Sequence, residues 1–380
     1  MTRHNISRRN FLKSIPVYAI GSSLVSCTHR NFFNPDEDIF LSGGSFGDKA
    51  AIKNALVIIN IAQQKKKVVE TPFLPHGINI NPTNKYSIFC FEKNGRYACE
   101  IDLKTQSVVR TLHSEDNQLF SGHACFSRNG KFIYCIESNK DNLQGNITVR
   151  DSKTFEVTQQ LPTLGLSPHH CHLSKEELLT ISNTGKSESG FHQPSLVSLD
   201  LKTAKLVERI KLNEENLNCG HFRITNNNDL IITSAPIDIN DKTLSGGVSI
   251  RHNNKPITTM TEPDVVIKRM TGEALSIEVN EQFSIAAVTH PEANLITFWS
   301  IKDKKIIKAY GFENPRGISL TLDKKYFMIS YGHRPAMVKI SIEDFTPLPD
   351  SLVQPTLSTG EHIINWSLTL RDIMPKQVYS

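Results

Sequence analysis

Residues Pro75-His76-Gly77-Ile78-Asn79-Ile80 are followed by Tyr86-Ser-Ile-Phe-Cys-Phe91, then Arg96-Tyr-Ala-Cys-Glu-Ile-Asp102, then Ser107-Val-Val-Arg110. Each run is short and rich in β-branched and aromatic residues, and polar turn residues separate the runs. That is the pattern of consecutive antiparallel strands. Asn94-Gly95 predicts a two-residue hairpin between the second and third strands. The unit then recurs. Aligned starts read Gly122-His123, Pro168-His169, Gly220-His221, Gly272-Glu273, Pro315-Arg316 and Glu361-His362. The second residue of each start falls at 76, 123, 169, 221, 273, 316 and 362, at intervals of 47, 46, 52, 52, 43 and 46. A turn Asp-x-Lys-Thr closes the third strand of three units, at Asp102, Asp151 and Asp200. Asp suits that place because its carboxylate accepts local backbone N–H groups.

Four strands in ~40–50 residues, repeated, are the signature of β-propeller blades. The expected fold is therefore all-β, a seven-bladed β-propeller over residues 38–371. The seventh start leaves room for one strand, Ile363 to Leu370, before a short tail at 372–380. Three strand-like runs precede the first start, at Asp38–Ser42, Ala55–Ala62 and Lys67–Thr71. One C-terminal strand with three N-terminal strands completes a blade and closes the ring, which leaves no exposed sheet edge.

The first 27 residues read as an address. Ser7-Arg8-Arg9-Asn10-Phe11-Leu12-Lys13 fits the twin-arginine export pattern, and Leu24-Val25-Ser26-Cys27 resembles a lipoprotein box with Cys27 as the lipidated residue. Residues 28–37 are polar and read as a tether. The expected location is the periplasm, with a lipid anchor holding the protein to a membrane. The 380 residues carry 43 Lys and Arg against 38 Asp and Glu. Arg3, Arg8, Arg9 and Lys13 lie in the leader, so the remainder is close to neutral and offers no electrostatic case for nucleic-acid binding. No apolar run is long enough for a membrane span.

In a propeller the innermost strand of each blade lines a central channel. The aligned starts would then place His76, His123, His169, His221, Glu273, Arg316 and His362 around one mouth of it, with His170 and His172 beside His169. Imidazoles suit Fe, Cu or Zn, Glu273 would add an oxygen ligand favouring iron, and Arg316 would pair with an anionic ligand. A ring spaces its members, so the consecutive blades bearing His123, His169 and His221 make the expected metal set. The alternative is structural: a histidine bonded within its own blade, with the Asp of the Asp-x-Lys-Thr turn as partner.

Six cysteines follow Cys27, none in a Cys-x-x-Cys spacing, so a zinc ribbon or a thioredoxin-type site is unsupported. Across a two-residue Asn94-Gly95 turn, Cys90 and Cys99 would face each other as a non-hydrogen-bonded pair. They would form either a cross-strand disulfide or two buried apolar side chains. Cys125 and Cys171, each two residues past an aligned histidine, read as soft ligands or as packing. Ser42-Gly-Gly-Ser-Phe-Gly47 reads as a loop, and Lys65-Lys66-Lys67 as a solvated hairpin tip. No nucleophile elbow, phosphate-binding loop or His-Glu-x-x-His occurs.

Gly122-His123 through Arg150-Asp151, with Pro168-His169, resembles the YVTN/WD40-like propeller superfamily, including the quinoprotein amine dehydrogenase heavy-chain-like group. More closely, the chain resembles a bacterial family of twin-arginine-exported propellers, often encoded beside imelysin-type iron-uptake proteins. The resemblance implies a propeller fold, an envelope location and iron-uptake proteins of the envelope as partners. The expected function is an exported lipoprotein that binds a metal or small ligand at the channel mouth in support of iron acquisition. A protein-interaction scaffold and a quinoprotein-type oxidoreductase subunit are the alternatives. The oligomeric state is left open.

Overall fold

Seven four-stranded antiparallel sheets succeed one another around a central axis in the computed structural model, which describes residues 31–48, 51–187, 190–238 and 240–374. The export motif with Arg8 and Arg9, and Cys27, lie outside the described residues. Contacts divide the chain at Phe32/Phe33, and the propeller belongs to the second unit.

In six of these sheets the strands run in sequence order from the axis outward. The inner strands are Gly77–Asn81, Gln118–Phe126, Pro168–Leu173, Phe222–Ile224, Ile277–Asn280, Ile318–Leu320 and Ile363–Asn365. The last belongs to the closing blade, whose other strands are Ile39–Phe46, Lys53–Asn60 and Lys65–Thr71. Phe40 pairs with Asn365, Leu41 with Ile364 and Ser42 with Ile363, so the ring closes as the repeat arithmetic requires. Apolar residues fill the spaces between blades. Phe89, Phe91, Phe120 and Ile133 pack between the first and second, and Trp299 packs with Ile231, Val248 and Met270 between the fourth and fifth. Each such side chain contributes ~1.5–3 kcal/mol by leaving water. The Asp-x-Lys-Thr turns form as expected. Asp102 Oδ1 accepts from the Lys104 N–H at 2.6 Å, Asp151 from Lys153 and Thr154, and Asp200 from Lys202 and Thr203.

Several local expectations change. The C-terminal run is a strand only as far as Asn365, then a helix, Trp366–Ile373. Asn365 makes the switch, its side chain accepting the Leu368 N–H at 3.1 Å as an N-cap. The helix locks the closure: Trp366 Nε1 donates to Lys85 O at 2.8 Å, and Ser367 Oγ to Glu37 O at 2.6 Å. Ser42–Phe46 lies in a strand rather than a loop. Its glycines are there because backbones approach closely: a Cβ on Gly43 would stand 2.1 Å from Pro75 O. Lys65–Lys67 opens the outer strand of the closing blade. Phe33, inside the expected tether, is buried against the body.

The Asn94-Gly95 connection is also longer than a two-residue turn. The Glu92 N–H donates to Tyr97 O at 3.0 Å, so strand pairing ends there and four residues form the loop. Cys90 still stands opposite Cys99, but alternation from Glu92–Tyr97 makes this a hydrogen-bonded pair. Both cysteines are buried and free, and burial, then the Cys99 thiol, pushes the Cys90 thiol pKa up.

Candidate metal centre

His76, His221 and His362 immediately precede an inner strand, His169 is the second residue of one, Arg316 and Glu273 lie two and four residues before one, and His123 lies inside Gln118–Phe126. What happens next depends on the side chain. His76, His123, His221 and His362 turn inward, and one ligand nitrogen from each lies within 4.8 Å of the others. His76 Nε2 is 3.0 Å from His123 Nε2, which is 3.2 Å from His221 Nε2. Two of the expected trio, His123 and His221, belong to this group. His169 reaches only the edge of the group, its Nε2 3.0 Å from His221 Nε2. The strands that carry His169 and His123 are both irregular where their histidine lies, with register shifts between Pro168 and Cys171 and between Phe120 and Ala124. Residues of the first, second, fourth and seventh blades meet on the axis.

Glycine makes the convergence sterically feasible. Gly122 has φ +104°, and a Cβ there would lie 2.4 Å from His76 Cδ2. A Cβ on Gly77 would lie 2.0 Å from Gly122 O. The Gly beside each of these histidines thus makes room for the neighbouring blade.

The outward nitrogens are held by fixed acceptors. His221 Nδ1 lies 2.8 Å from Leu275 O, and a carbonyl can only accept, so Nδ1 carries the proton. Ser276 Oγ donates to Glu361 O at 2.9 Å and therefore accepts from His362 Nδ1 at 3.1 Å. His76 Nδ1 faces the Glu361 carboxylate at 3.3 Å. In three of the four rings the proton is thereby committed outward, and the Nε2 lone pair points at the axis. His362 Nε2 is buried and has no hydrogen-bond partner. A proton on Nε2 of His123 would satisfy one neighbour and one on His169 would satisfy His221, and the His123 proton has to move to Nδ1 before that ring can hold a cation through Nε2. The cluster is short of protons, and a cation at its centre removes the deficit.

Burial keeps these groups neutral. It is the largest cause of the low pKa of His123, pushed down to about 3, with Lys93 and Arg223 adding to it. It likewise holds His76, His169, His170, His221 and His362 well below the usual histidine range. None of these imidazoles bonds to an Asp of the blade turns, whose carboxylates cap their own loops. The partners lie on other blades, which counts against histidines serving a single blade each.

Glu273 and Arg316 are not in the ligand group. They belong to a charged layer around Glu361, whose carboxylate meets Lys93 Nζ at 2.7 Å and Arg316 Nη2 at 3.7 Å. Burial, reinforced by Glu361 and Glu292 and partly offset by Lys93 and Arg316, raises the Glu273 pKa to about 7. Glu361 is the functional residue that repeat alignment passes over. Its signal is that it stands where every other unit has Gly or Pro. Cys125 and Cys171 also stay outside the ligand group. Their thiols contact each other, and that contact, then burial, raises the Cys171 pKa.

Below the histidines the axis opens into a cavity of about 680 Å³. His76, His123, His170, His221 and His362 line it, together with Arg128, Arg223 and Asp372. Burial, then Arg223, lowers the pKa of His172, also on this wall, to about 4.

Fold and site define a seven-bladed propeller with a histidine cluster on its axis. The chain belongs to the family described as "Protein of unknown function (DUF1513)", which matches residues 69–364. No curated protein matches the chain. Among solved structures, the Kuenenia stuttgartiensis hydrazine synthase is similar at 12% identity and TM-score 0.62, over 83% of this chain and 98% of that one. The dihydro-heme d1 dehydrogenase NirN, in complex with DHE, is similar at 12% identity and TM-score 0.56, over 86% and 68%. At that identity the similarity shows the fold alone.

Proposed function

We propose that the protein holds one borderline transition-metal ion on the propeller axis, bound through Nε2 of His76, His123, His221 and His362. The observation that carries this reading is the commitment of three Nδ1 protons to Glu361, Leu275 O and Ser276. Metal-binding histidines are oriented in this way by a carboxylate, carbonyl or similar acceptor on the other ring nitrogen. A set of imidazoles alone suits Cu, Zn, Ni or Fe, and affinity among the divalent ions peaks at Cu. Without Glu273 in the set, the preference for iron loses its oxygen ligand.

The proposal extends to an exported, lipid-anchored protein of the periplasm working beside envelope iron-uptake proteins. Its support is the residue 7–13 motif, the sequence around Cys27 and the family resemblance. Elemental analysis of a folded Cys27→Ser protein tests the metal centre. One metal per chain is expected, lost in His123→Ala/His221→Ala while the fold survives. No metal after incubation with Fe, Cu, Zn and Mn would overturn it and favour a protein-interaction scaffold.

A further inference from the structure

Two residues past His123 and His169, the inner strands of the second and third blades carry Cys125 and Cys171. The fourth blade has Arg223 at that repeat position, and the other four have Ile78, Leu275, Ile318 and Ile364. Cys125, Cys171, Arg223 and the three isoleucines line the axial cavity. This layer is therefore apolar except for two thiols and a guanidinium on three consecutive blades.

The two thiols are in hydrogen-bonding contact. Cys171 packs with Ile136, Ile147 and Val197, and Cys125 lies against the same apolar cluster. Both cysteines are free, and Cys125 is only half-buried, so a solute in the cavity reaches the pair. Cys90 and Cys99 also face each other, but they are fully buried and do not line the cavity. Cys135 and Cys219 are fully buried as well.

Among the described residues, no histidine, cysteine or carboxylate completes a group of three ligand atoms around this pair. Two sulfurs alone do not make a tetrahedral zinc site, which takes four donors. They match a soft monovalent cation, because thiolates select Cu(I) and that ion is stable with two ligands in line. At ~2.3 Å per metal–sulfur bond a linear pair spans ~4.6 Å, whereas a disulfide closes to ~2.05 Å. Thiols in hydrogen-bonding contact stand nearer the first spacing.

We propose that Cys125 and Cys171 form a second metal site, for one Cu(I)-like cation that arrives through the cavity. Binding one monovalent cation breaks both S–H bonds and forms two metal–sulfur bonds, and the two protons leave to water. The bis-thiolate complex carries one negative charge. Arg223, which also meets Glu278 at 3.4 Å, and Arg128 line the same cavity and offset that charge. The site does not depend on the imidazole centre, whose ion takes nitrogen donors from other residues.

The test is titration of the reduced Cys27→Ser chain with Ag(I), and with Cu(I) under nitrogen, followed by the ultraviolet thiolate-to-metal charge-transfer band and by alkylation mass spectrometry. One equivalent should saturate the band and protect Cys125 and Cys171 from alkylation. Cys125→Ser/Cys171→Ser should lose both signals and still take up a divalent ion, whereas His123→Ala/His221→Ala should keep both signals. Should the double cysteine variant unfold, Cys125→Ala serves, and the one-equivalent endpoint should vanish because a single thiolate cannot hold the ion in line. A band unchanged in the cysteine variants, a band lost in the histidine variant, or recovery of Cys125 and Cys171 as a disulfide in place of the metal would overturn the site. A wild type that takes Ag(I) at these thiols but no divalent ion defeats the imidazole centre and supports this site.

Discussion

His76, His123, His221 and His362 meet on the axis, whereas Glu273 and Arg316, at the same repeat position of the fifth and sixth blades, stay in a charged layer with Glu361 and Lys93. The backbone offers the same place to both sets. A neutral imidazole can leave water once one nitrogen has an acceptor, but a lone carboxylate or guanidinium cannot. Side-chain desolvation therefore divides one ring of repeat positions into a binding layer and a supporting layer. Glu361 links them, touching His76 on one side and Lys93 and Arg316 on the other.

The largest effect is expected of His221→Ala, which removes the ring that contacts both His123 and His169. Metal affinity measured by chelator competition should fall beyond the ~10–100-fold typical of changes to residues that orient a ligand. Glu361→Gln should stay within that ~10–100-fold range, because the amide still accepts from His76 but loses its charge. Gly122→Ala should also weaken metal binding, through the clash with His76 and the strain at positive φ, and should lower the melting temperature. Glu273→Gln should change affinity by less than about threefold, below the range for residues bonded to a ligand.

The two layers should also respond oppositely to pH in the metal-free protein. His123 has a folded pKa lowered to about 3, so its contribution to stability is present above the ordinary histidine value and lost as pH falls through 6.5 toward 3. Glu273 has a folded pKa raised to about 7. It binds a proton that the unfolded chain has released, so stability falls as pH rises from about 4.5 to 7. Denaturant midpoints across this range should show Glu273→Gln gaining on the wild type above pH 5, with no gain at pH 4. A uniform offset at every pH would contradict the assignment.

The repeat, the blade count and the ring closure were legible because strand periodicity and turn chemistry are local. So was the ring of seven residues, since each follows from its place in a unit. Their convergence was not. It depends on which imidazoles turn toward the axis and on room made for His76 by Gly122 of another blade. The proton acceptors were harder still: Leu275 contributes a backbone carbonyl and Ser276 a common hydroxyl, and neither residue type marks a site. Ile363 to Leu370 reads as one strand because its apolar residues are dense, and the helix that begins at Trp366 is set by contacts with Lys85 and Glu37 that are distant in sequence.

X-ray absorption spectroscopy of the metal-loaded protein reads the ligand set of the four histidines itself. The account predicts a first shell of nitrogen only, with the multiple-scattering pattern of four imidazoles, falling to three in His362→Ala. A shell containing sulfur, or one unchanged in His362→Ala and His76→Ala alike, would contradict it.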